Sequence, residues 1–148
     1  MTDLVKNKKV GLNYELLSTY EAGLELFGYE VKSLRAKNAS LEGARVTVRG
    51  GEAYLLNATI SPYQPLNTPD SYEPDRPRRL LLNKKEIAEL EGFESKKGLT
   101  IVPISVYSKG RNLKLSIAVA RGKKKHDKRE TLKKRDAKRD MERTLKSK

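Results

Sequence analysis

The side chains that point most clearly to a particular chemistry in this sequence are cations, and they are concentrated near its end. Residues 121–148 hold fourteen Lys or Arg against five Asp or Glu, so this stretch carries +9 of the chain's net charge of +13. Beyond Gly122 it contains no Gly, Pro, Tyr or Phe. A segment this polar cannot bury enough apolar surface to offset the entropy of ordering it. We therefore predict a tail that becomes ordered on a polyanion.

The chain's single histidine, His126, stands in this tail beside Asp127, and such a pair could act as a general base with its orienting acid. Proton transfer needs a fixed geometry, which a tail of this composition does not supply. The sequence also has no cysteine nucleophile and no phosphate-loop motif, so we expect no enzymatic activity. Two interpretations of His126 stay open: an incidental exposed residue, or a ring that stacks on a nucleobase.

Composition also limits the kinds of site and partner that this chain can have. With no Cys and one His, a metal site built from these residues is excluded, and we expect no cofactor. No apolar run approaches the roughly 18 residues of a membrane span and no signal peptide is visible, so we expect an intracellular, cytoplasmic protein. The basic balance favours nucleic acid over an anionic membrane, because a membrane-binding helix needs bulky apolar residues opposite its charges. The tail offers only Leu132, Ala137, Met141 and Leu145.

The order of residues in the tail favours a conditional helix. Its Lys, Arg, Glu, Leu, Met and Ala are good helix formers, and Ala137, Met141 and Leu145 recur at every fourth position. Like charges would oppose a helix in isolation, and phosphates would neutralise them. A helix over residues 131–146 would be about 24 Å long. The alternative, a solvated charge run that only aids solubility, stays open.

Turn signals divide the residues before the tail into short segments typical of a β-rich domain. Residues 45–49 alternate in polarity, and Gly50 and Gly51 suit the positive φ angles of a tight turn before a return strand at 52–60. Asn83, with Glu86 three residues later, matches a capping box. Residues 14–26 suit either a strand or a helix, and their two aromatics and Thr favour the strand. The other expected elements are strands at 99–107 and 113–120, a helix at 30–36, and a second helix that begins over 86–91 and ends between Gly92 and Gly98.

Two further features bear on the domain's surface. Gly23, inside the first expected strand, indicates a bulge or a close approach of the backbone, and Gly28 is expected to break the chain. Residues 61–79 hold five of the six prolines and end in Arg76, Arg78 and Arg79. A proline-rich loop of this length is usually functional or mobile, and each of its arginines could be ordinary surface charge or part of a binding surface.

These elements predict a mainly β fold, an OB-type antiparallel barrel with one to three short helices. We expect a flexible basic arm at residues 1–13, the barrel at 14–120 and the basic tail at 121–148.

Several blocks of this sequence resemble the SmpB family of bacterial SsrA-binding proteins. The resemblance is collinear from about residue 6 to the end of the chain. The blocks are YEAG (20–23), GYEVKSLR (28–35), GEAYL (51–55), ISPY (60–63), PDRPRRLLL (74–82) and GKKKHDKR (122–129).

The resemblance implies an OB-type barrel that binds transfer-messenger RNA (tmRNA) on its tRNA-like domain. It implies that the complex, carried with elongation factor Tu, enters ribosomes stalled without a codon in the decoding site. The protein would stand where a tRNA's anticodon arm stands, and its tail would fold as a helix in the empty messenger channel. Translation would then switch to the RNA's own reading frame.

The resemblance also implies site residues. In the barrel, the positions that match RNA-binding residues of the family are Asn7, Glu21, Leu81 and Lys114, with Lys32 and Arg35 in the matching helix block. In the tail, Gly122, Lys123, Lys124, His126, Asp127, Lys128 and Arg129 match the motif that acts on the ribosome, and His126 falls at the position that stacks on a small-subunit rRNA base.

One block departs from the family pattern, which reads Asn, two basic residues, Ala, a variable residue, His or an aromatic, an acid and Tyr. Here Val10, Leu12 and Asn13 are substitutions, and Gly11 is expected to loosen the start of the strand. From the residues alone, the alternative is a generic OB-fold RNA-binding or ribosomal protein with a nonspecific basic tail.

Overall fold

Short β-strands make up most of the described chain. The computed structural model describes residues 2–64, 66, 68–123, 129, 132, 133 and 135. Within these residues there are nine strands and three helices: β1 (Thr2–Lys6), α1 (Val10–Asn13), β2 (Tyr14–Leu24), α2 (Gly28–Arg35), β3 (Ala39–Ser40), β4 (Arg45–Arg49), β5 (Glu52–Leu56), β6 (Thr59–Ile60), β7 (Arg78–Leu81), α3 (Lys84–Glu94), β8 (Leu99–Lys109) and β9 (Asn112–Gly122).

Seven strands form one antiparallel sheet in the order β1-β8-β4-β5-β7-β2-β9, while β3 and β6 pair separately. Strand β9 pairs with β8 as well as with β2, so six of the strands form a closed ring and β1 lies outside it along β8. A closed ring leaves few open edges. The predicted mainly β class with short helices is confirmed, and the ring of pairings is consistent with a barrel.

The core lies inside this ring, and β9 shows how the sequence builds it. Leu113, Leu115, Ile117 and Val119 are all buried, as their alternation predicts. Because successive side chains of a strand point to opposite faces, the intervening Lys114 points outward. Each fully buried aliphatic side chain contributes about 1.5–3 kcal/mol.

The other face of β9 is partly covered as well. Ala118 and Ala120 are completely buried although they alternate with the core residues. Ala120 packs in a small second cluster with Val102 of β8, Val10 of α1 and the partly buried Tyr14. Helix α1 therefore covers this end of the β8–β9 pair.

The prediction of a flexible arm over residues 1–13 is wrong for residues 2–13, the part that the structure describes. Thr2–Lys6 is a strand that pairs with residues 105–108 of β8, and the substituted block that follows forms α1. Asn7 joins the two, since its backbone N–H donates to the Ile104 carbonyl (2.8 Å) and its Nδ2 donates to the Pro103 carbonyl (3.0 Å). The domain boundaries at 13/14 and 120/121 remain predictions.

The glycine hairpin is confirmed. Gly50 and Gly51 have φ angles of +59° and +77° between β4 and β5, as a two-residue primed turn requires. The return strand is shorter than expected: β5 ends at Leu56, because Asn57 has a φ of +63° and redirects the chain, so that β6 pairs with β3 instead.

The capping box of α3 is confirmed by reciprocal hydrogen bonds. The Glu86 N–H donates to Asn83 Oδ1 (2.8 Å), and the Asn83 N–H donates to Glu86 Oε1 (3.2 Å). The helix ends at Glu94, between Gly92 and Gly98 as expected, and its last turn is held by a tertiary contact: the Val48 N–H donates to Glu94 Oε1 (3.3 Å).

Helix α2 begins earlier than the sequence predicted. Gly28 does not break the chain but is the first residue of the helix, and the N–H of the preceding Phe27 donates to Glu30 Oε1 (2.9 Å). Glu30 lies in the first turn, where a carboxylate also interacts favourably with the helix dipole.

Glu30 is the acceptor of a buried network with two arginines. Both Glu30 and Arg78 have no exposed surface. Arg78 donates to Glu30 Oε2 from Nε (3.0 Å) and Nη2 (2.7 Å), and its Nη1 donates to the Ala58 carbonyl (2.7 Å). Arg76 donates to the same carboxylate from Nε (3.1 Å to Oε2) and from Nη2 to Oε1. Arg78 is thus an internal cation, which corrects its interpretation as surface charge.

The same network holds the proline-rich loop to the barrel. Arg78 Nη2 donates to the Pro74 carbonyl (2.8 Å) and to the Tyr72 hydroxyl oxygen (3.0 Å), and that hydroxyl donates to the Ile60 carbonyl (2.7 Å). Tyr72 also packs edge-on against Tyr29 of α2, with 5.1 Å between ring centroids. The second half of the loop is therefore anchored to α2 and to the end of β6.

Replacing Glu30 with Gln is expected to lower the free energy of unfolding by about 3–5 kcal/mol, because removing one partner leaves a buried charge uncompensated. Urea denaturation of the parent and variant chains measures the difference. Glu91→Gln, at an exposed position on α3, is the matched control and should change stability by less than about 0.5 kcal/mol. Equal stability of the Glu30 variant and the parent would show that the network does not hold the fold.

The contribution of Glu30 should also depend on pH. Burial raises the pKa of this carboxyl, but hydrogen bonds from Arg76, the Phe27 N–H and Arg78 outweigh burial, so that its pKa lies below the usual value. A lowered pKa stabilises the fold above the unfolded value of about 4.3, and this stabilisation is lost as the pH falls from there through the folded pKa. The stability gap between the parent and Glu30→Gln should therefore narrow from pH 7 to pH 3. A gap that stays constant would contradict the shifted pKa.

Candidate nucleic-acid interface

Four residues on neighbouring strands form a row across the outer face of the barrel, which we call the outer row: Leu81 of β7, Gly23 of β2, Lys114 of β9 and Tyr107 of β8. Each is the direct cross-strand partner of the next. Leu81 is 49% exposed, which is unusual for a large apolar side chain in a strand, and Lys114 is half-buried. The row therefore combines an apolar contact, a cation and an aromatic ring.

Gly23 is what allows Leu81 to lie flat on this face. A Cβ atom at Gly23 would stand 3.1 Å from Leu81 Cβ and 3.3 Å from Leu81 Cδ1, tighter than most real contacts. The predicted close approach at Gly23 is confirmed, while the irregularity in the pairing of β2 with β9 lies between Leu16 and Ser18 instead.

A cleft of about 310 Å³ opens beside the outer row, between the strands and helix α2. It is lined by Gly23, Leu24, Leu26, Val31, Leu81, Arg111, Asn112, Leu113 and Lys114. Arg35, at the end of α2, donates from Nη2 to the Arg111 carbonyl (3.1 Å) and so ties the helix to the β8–β9 turn. The cleft floor is apolar and its rim carries cations, an arrangement suited to an unpaired base with its phosphate.

Glu21 lies two residues before Gly23 on the same face of β2. Its carboxylate accepts hydrogen bonds from the Tyr107 hydroxyl and from Lys109 Nζ, the second at 3.1 Å to Oε1. The hydrogen bonds from Tyr107 and Lys109 hold the pKa of Glu21 below its usual value, and Lys114 contributes further. We call Glu21, Tyr107 and Lys109 the Glu21 cluster.

The structure brings together four of the six barrel residues that the sequence singled out. Leu81 and Lys114 belong to the outer row and line its cleft. Glu21 accepts a hydrogen bond from Tyr107 of the outer row, and Arg35 donates to the carbonyl of Arg111 in the cleft lining. Lys32 is exposed on α2, the same helix as Arg35. Asn7 lies apart, because β8 and β9 separate β1 from Glu21, and its amide Nδ2 is used by the Pro103 carbonyl.

Sequence reasoning missed Tyr107, Lys109 and Arg111. The strand expected at 99–107 ends before Lys109, whereas β8 extends through Lys109 and Arg111 lies in the turn before β9. Tyr107 and Lys109 stand two apart on one strand, the spacing that places side chains on one face. No local pattern indicates that this face meets Glu21, because Tyr107 follows Glu21 by 86 positions in the chain.

The root of the basic tail, Gly122 and Lys123, is fixed at the opposite end of the β2–β9 pair. Gly122 pairs with Tyr14 and ends β9. The Lys123 N–H donates to the Asn13 carbonyl (2.8 Å), and Lys123 Nζ donates to the Gly11 carbonyl (2.8 Å). Helix α1 therefore sets where the tail leaves the barrel.

Most of the predicted tail site lies outside the described residues, namely Lys124, His126, Asp127 and Lys128 and most of the helix expected over 131–146. Arg129 is described and is exposed.

Metal-ligand clusters and membrane-spanning helices are absent from the part of the chain that the structure describes. No group of three or more His, Asp or Glu residues there is placed to hold a metal ion. No helix among the same residues is long and apolar enough to cross a membrane.

Replacing Gly23 with Ala is expected to push Leu81 away from its position and to cost about 1–3 kcal/mol of stability, as overpacking commonly does. Thermal unfolding measures the cost, and the NMR shifts of the Leu81 methyl groups report the displacement. Gly28→Ala is the matched control, because a Cβ there meets nothing within 4 Å. An unmoved Leu81 in the Gly23 variant would contradict the close approach.

The sequence and fold were compared with known proteins. A family model described as SmpB protein matches residues 4–147. An SsrA-binding protein from Gloeothece citriformis is 48% identical over 143 residues, which cover 97% of this chain and 92% of the relative. An SsrA-binding protein from Elusimicrobium minutum is 50% identical over 142 residues, which cover 96% of this chain and 90% of the relative.

The fold also matches a solved structure. A chain from the structure described as "tmRNA-SmpB: a journey to the center of the bacterial ribosome" superposes with a TM-score of 0.68 at 40% sequence identity. The match covers 86% of this chain and 92% of the other.

Proposed function

This chain belongs to the SmpB family, and on that premise we propose that it is a tmRNA-binding adaptor that rescues stalled ribosomes by trans-translation. The barrel binds the tRNA-like domain of tmRNA at the outer row and its cleft. The tail enters the decoding site and the empty messenger channel of the small ribosomal subunit. The protein acts in the cytoplasm as an adaptor, with no catalytic step of its own, and it reaches the ribosome with elongation factor Tu through the tmRNA complex.

The observation that carries this proposal is the distance between the two surfaces. Lys114 of the outer row and Gly122 of the tail root stand on the same strand, β9, and both pair with β2. Eight residues of strand separate them, or about 26 Å at 3.3 Å per residue. An RNA held at one end of the strand pair therefore leaves the other end free to direct the tail elsewhere.

The chemistry of each surface fits its proposed partner. In the barrel, Leu81 offers an apolar contact to a base or ribose, while Lys114 and Arg35 offer cations to phosphates. In the tail, the net charge of +9 favours a channel lined with rRNA, where phosphates would permit a helix over residues 131–146. Lys123, Lys124, Lys128 and Arg129 would contact phosphates there, and His126 would stack on a base of the decoding site.

Two residues of the proposed site act indirectly. The amide of Asn7 holds the β1–α1 junction to β8. Lys123 fixes the tail root through the carbonyls of α1. Both are therefore assigned to positioning, with Lys123 also able to reach RNA once its contact with Gly11 is released.

The alternative, a generic OB-fold RNA-binding protein with a nonspecific tail, is not favoured, because the similarity to SsrA-binding proteins covers the barrel and the tail together. Salt dependence distinguishes the two. A nonspecific tail binder loses affinity for all RNAs equally as salt rises, whereas the proposed adaptor keeps a preference for the tRNA-like domain.

Separate loss of the two activities tests the proposal. A chain ending after Lys123, which keeps β9 and the tail root, should bind the tRNA-like domain within about threefold of the parent and should fail to support tagging on stalled ribosomes. Lys114→Ala should weaken that binding roughly tenfold and keep the tail. Filter binding and a reconstituted tagging reaction measure the two activities.

Lys97→Ala removes an exposed charge near the far end of β8 and is the control for binding. Tagging by the shortened chain at the parent rate would contradict the proposed role of the tail. The proposed role of the outer row would be contradicted if Lys114→Ala bound the tRNA-like domain with the same affinity as the parent and the Lys97→Ala control.

A further inference from the structure

We propose that Tyr107 and Lys109 contact tmRNA directly, and that Glu21 is a positioning residue that acts through them. This inference rests on the proposed function and identifies which groups of the barrel surface meet the RNA.

The carboxylate of Glu21 is already occupied by donors from another strand. Its Oε1 and Oε2 lie 3.1 Å and 3.5 Å from Lys109 Nζ, and Oε2 also accepts from the Tyr107 hydroxyl. A carboxylate that contacted a base directly would have to exchange these partners for base amino or imino groups. If Glu21 keeps the hydrogen bonds from Tyr107 and Lys109, no bond has to be exchanged. The aromatic ring of Tyr107 and the ammonium of Lys109 are then the groups that can contact RNA.

The hydrogen bonds that Glu21 accepts from Tyr107 and Lys109 cross an intervening strand. Glu21 stands on β2, while Tyr107 and Lys109 stand on β8, and β9 runs between them. The residue of β9 opposite Glu21 is Ser116, which is small enough for the carboxylate to reach across the strand. Glu21 thereby links two strands that do not pair with each other and fixes the rotamers of both partners.

The charge of the surface also favours this division of roles. A bare carboxylate beside the cleft would repel phosphates, but Glu21 is neutralised by Lys109 and lies close enough to Lys114 to interact with it. With Lys109 and Lys114 counted against Glu21, the three side chains carry a net charge of +1. The Lys109 side chain is 55% exposed, so it can meet a phosphate while it stays paired with Glu21.

Tyr107 presents its ring rather than its hydroxyl hydrogen. Burial and the hydrogen bond to Glu21 raise its pKa to about 12, so the phenol stays protonated, and its hydrogen is donated to Glu21. The half-buried ring stands next to Lys114 in the outer row. Base or ribose stacking against this ring, beside two phosphate-binding lysines, is the contact expected for unpaired nucleotides of a folded RNA.

The test uses the full chain and a transcript of the tRNA-like domain of tmRNA. Lys109→Gln is expected to weaken binding roughly tenfold and to reduce the slope of log affinity against log salt by about one, as loss of one phosphate contact does. Tyr107→Ala should weaken binding by about tenfold or more, and Tyr107→Phe should lose less because it keeps the ring. Lys97→Gln is the control and should change neither affinity nor slope. Circular dichroism confirms that each variant is folded.

A double-mutant cycle tests the positioning role of Glu21. Glu21→Gln should weaken binding in the parent, and its effect should fall below about twofold in a chain that already carries Tyr107→Phe and Lys109→Gln. The same loss in both backgrounds would show that Glu21 contacts the RNA itself and would overturn its assignment.

The outcomes separate this inference from the proposed function. Failure of the parent chain to prefer the tRNA-like domain over an unrelated structured RNA would reject the function. A parent that binds as proposed, with Tyr107→Ala and Lys109→Gln both indistinguishable from Lys97→Gln, would reject the two contacts and leave the function standing.

Discussion

The structure depends on one buried carboxylate, that of Glu30, and on the two guanidinium groups, of Arg76 and Arg78, that donate hydrogen bonds to it. A charge without exposed surface is tolerated only when its hydrogen bonds are complete, and here every buried side-chain nitrogen and oxygen of the described residues has a partner. Arg78 also holds the carbonyls of Ala58 and Pro74, so that one network joins helix α2, the proline-rich loop and the start of β7. Since β7 carries Leu81 and α2 carries Arg35, the position of the cleft beside the outer row follows from this network.

The second constraint is the long antiparallel pair of β2 and β9. Each strand has 11 residues, and their register fixes Gly23 opposite Lys114 at one end and Tyr14 opposite Gly122 at the other. Helix α1 caps the second end, where its carbonyls hold Lys123. The pair thus sets the separation of two surfaces whose chemistry differs: an apolar side chain, an aromatic ring and a cation at one end, and the root of the basic tail at the other.

Local signals in the sequence predicted much of this frame, because turns, caps and alternation are determined by neighbouring residues. The Gly50–Gly51 hairpin and the Asn83 capping box are examples. Contacts between distant residues were not predictable in the same way. Arg78 reads as surface charge until Glu30, 48 residues away, is placed beside it, and the Glu21 cluster joins residues 86 apart. Strand β1 was missed because its five residues are too few to show a period, and its pairing with β8 decides its conformation.

Hydroxyl-radical footprinting of the full chain with and without the tRNA-like domain tests the central claim, that the two ends of the β2–β9 pair serve different partners. Two leucines form a matched pair because they are comparably exposed. Leu81, which pairs with Gly23 near the end of β2, is 49% exposed, and Leu17, near the tail root, is 44% exposed. The RNA is expected to protect Leu81 and Tyr107 from oxidation and to leave Leu17 unprotected. Protection of Leu17 with unchanged oxidation of Leu81 and Tyr107 would contradict it.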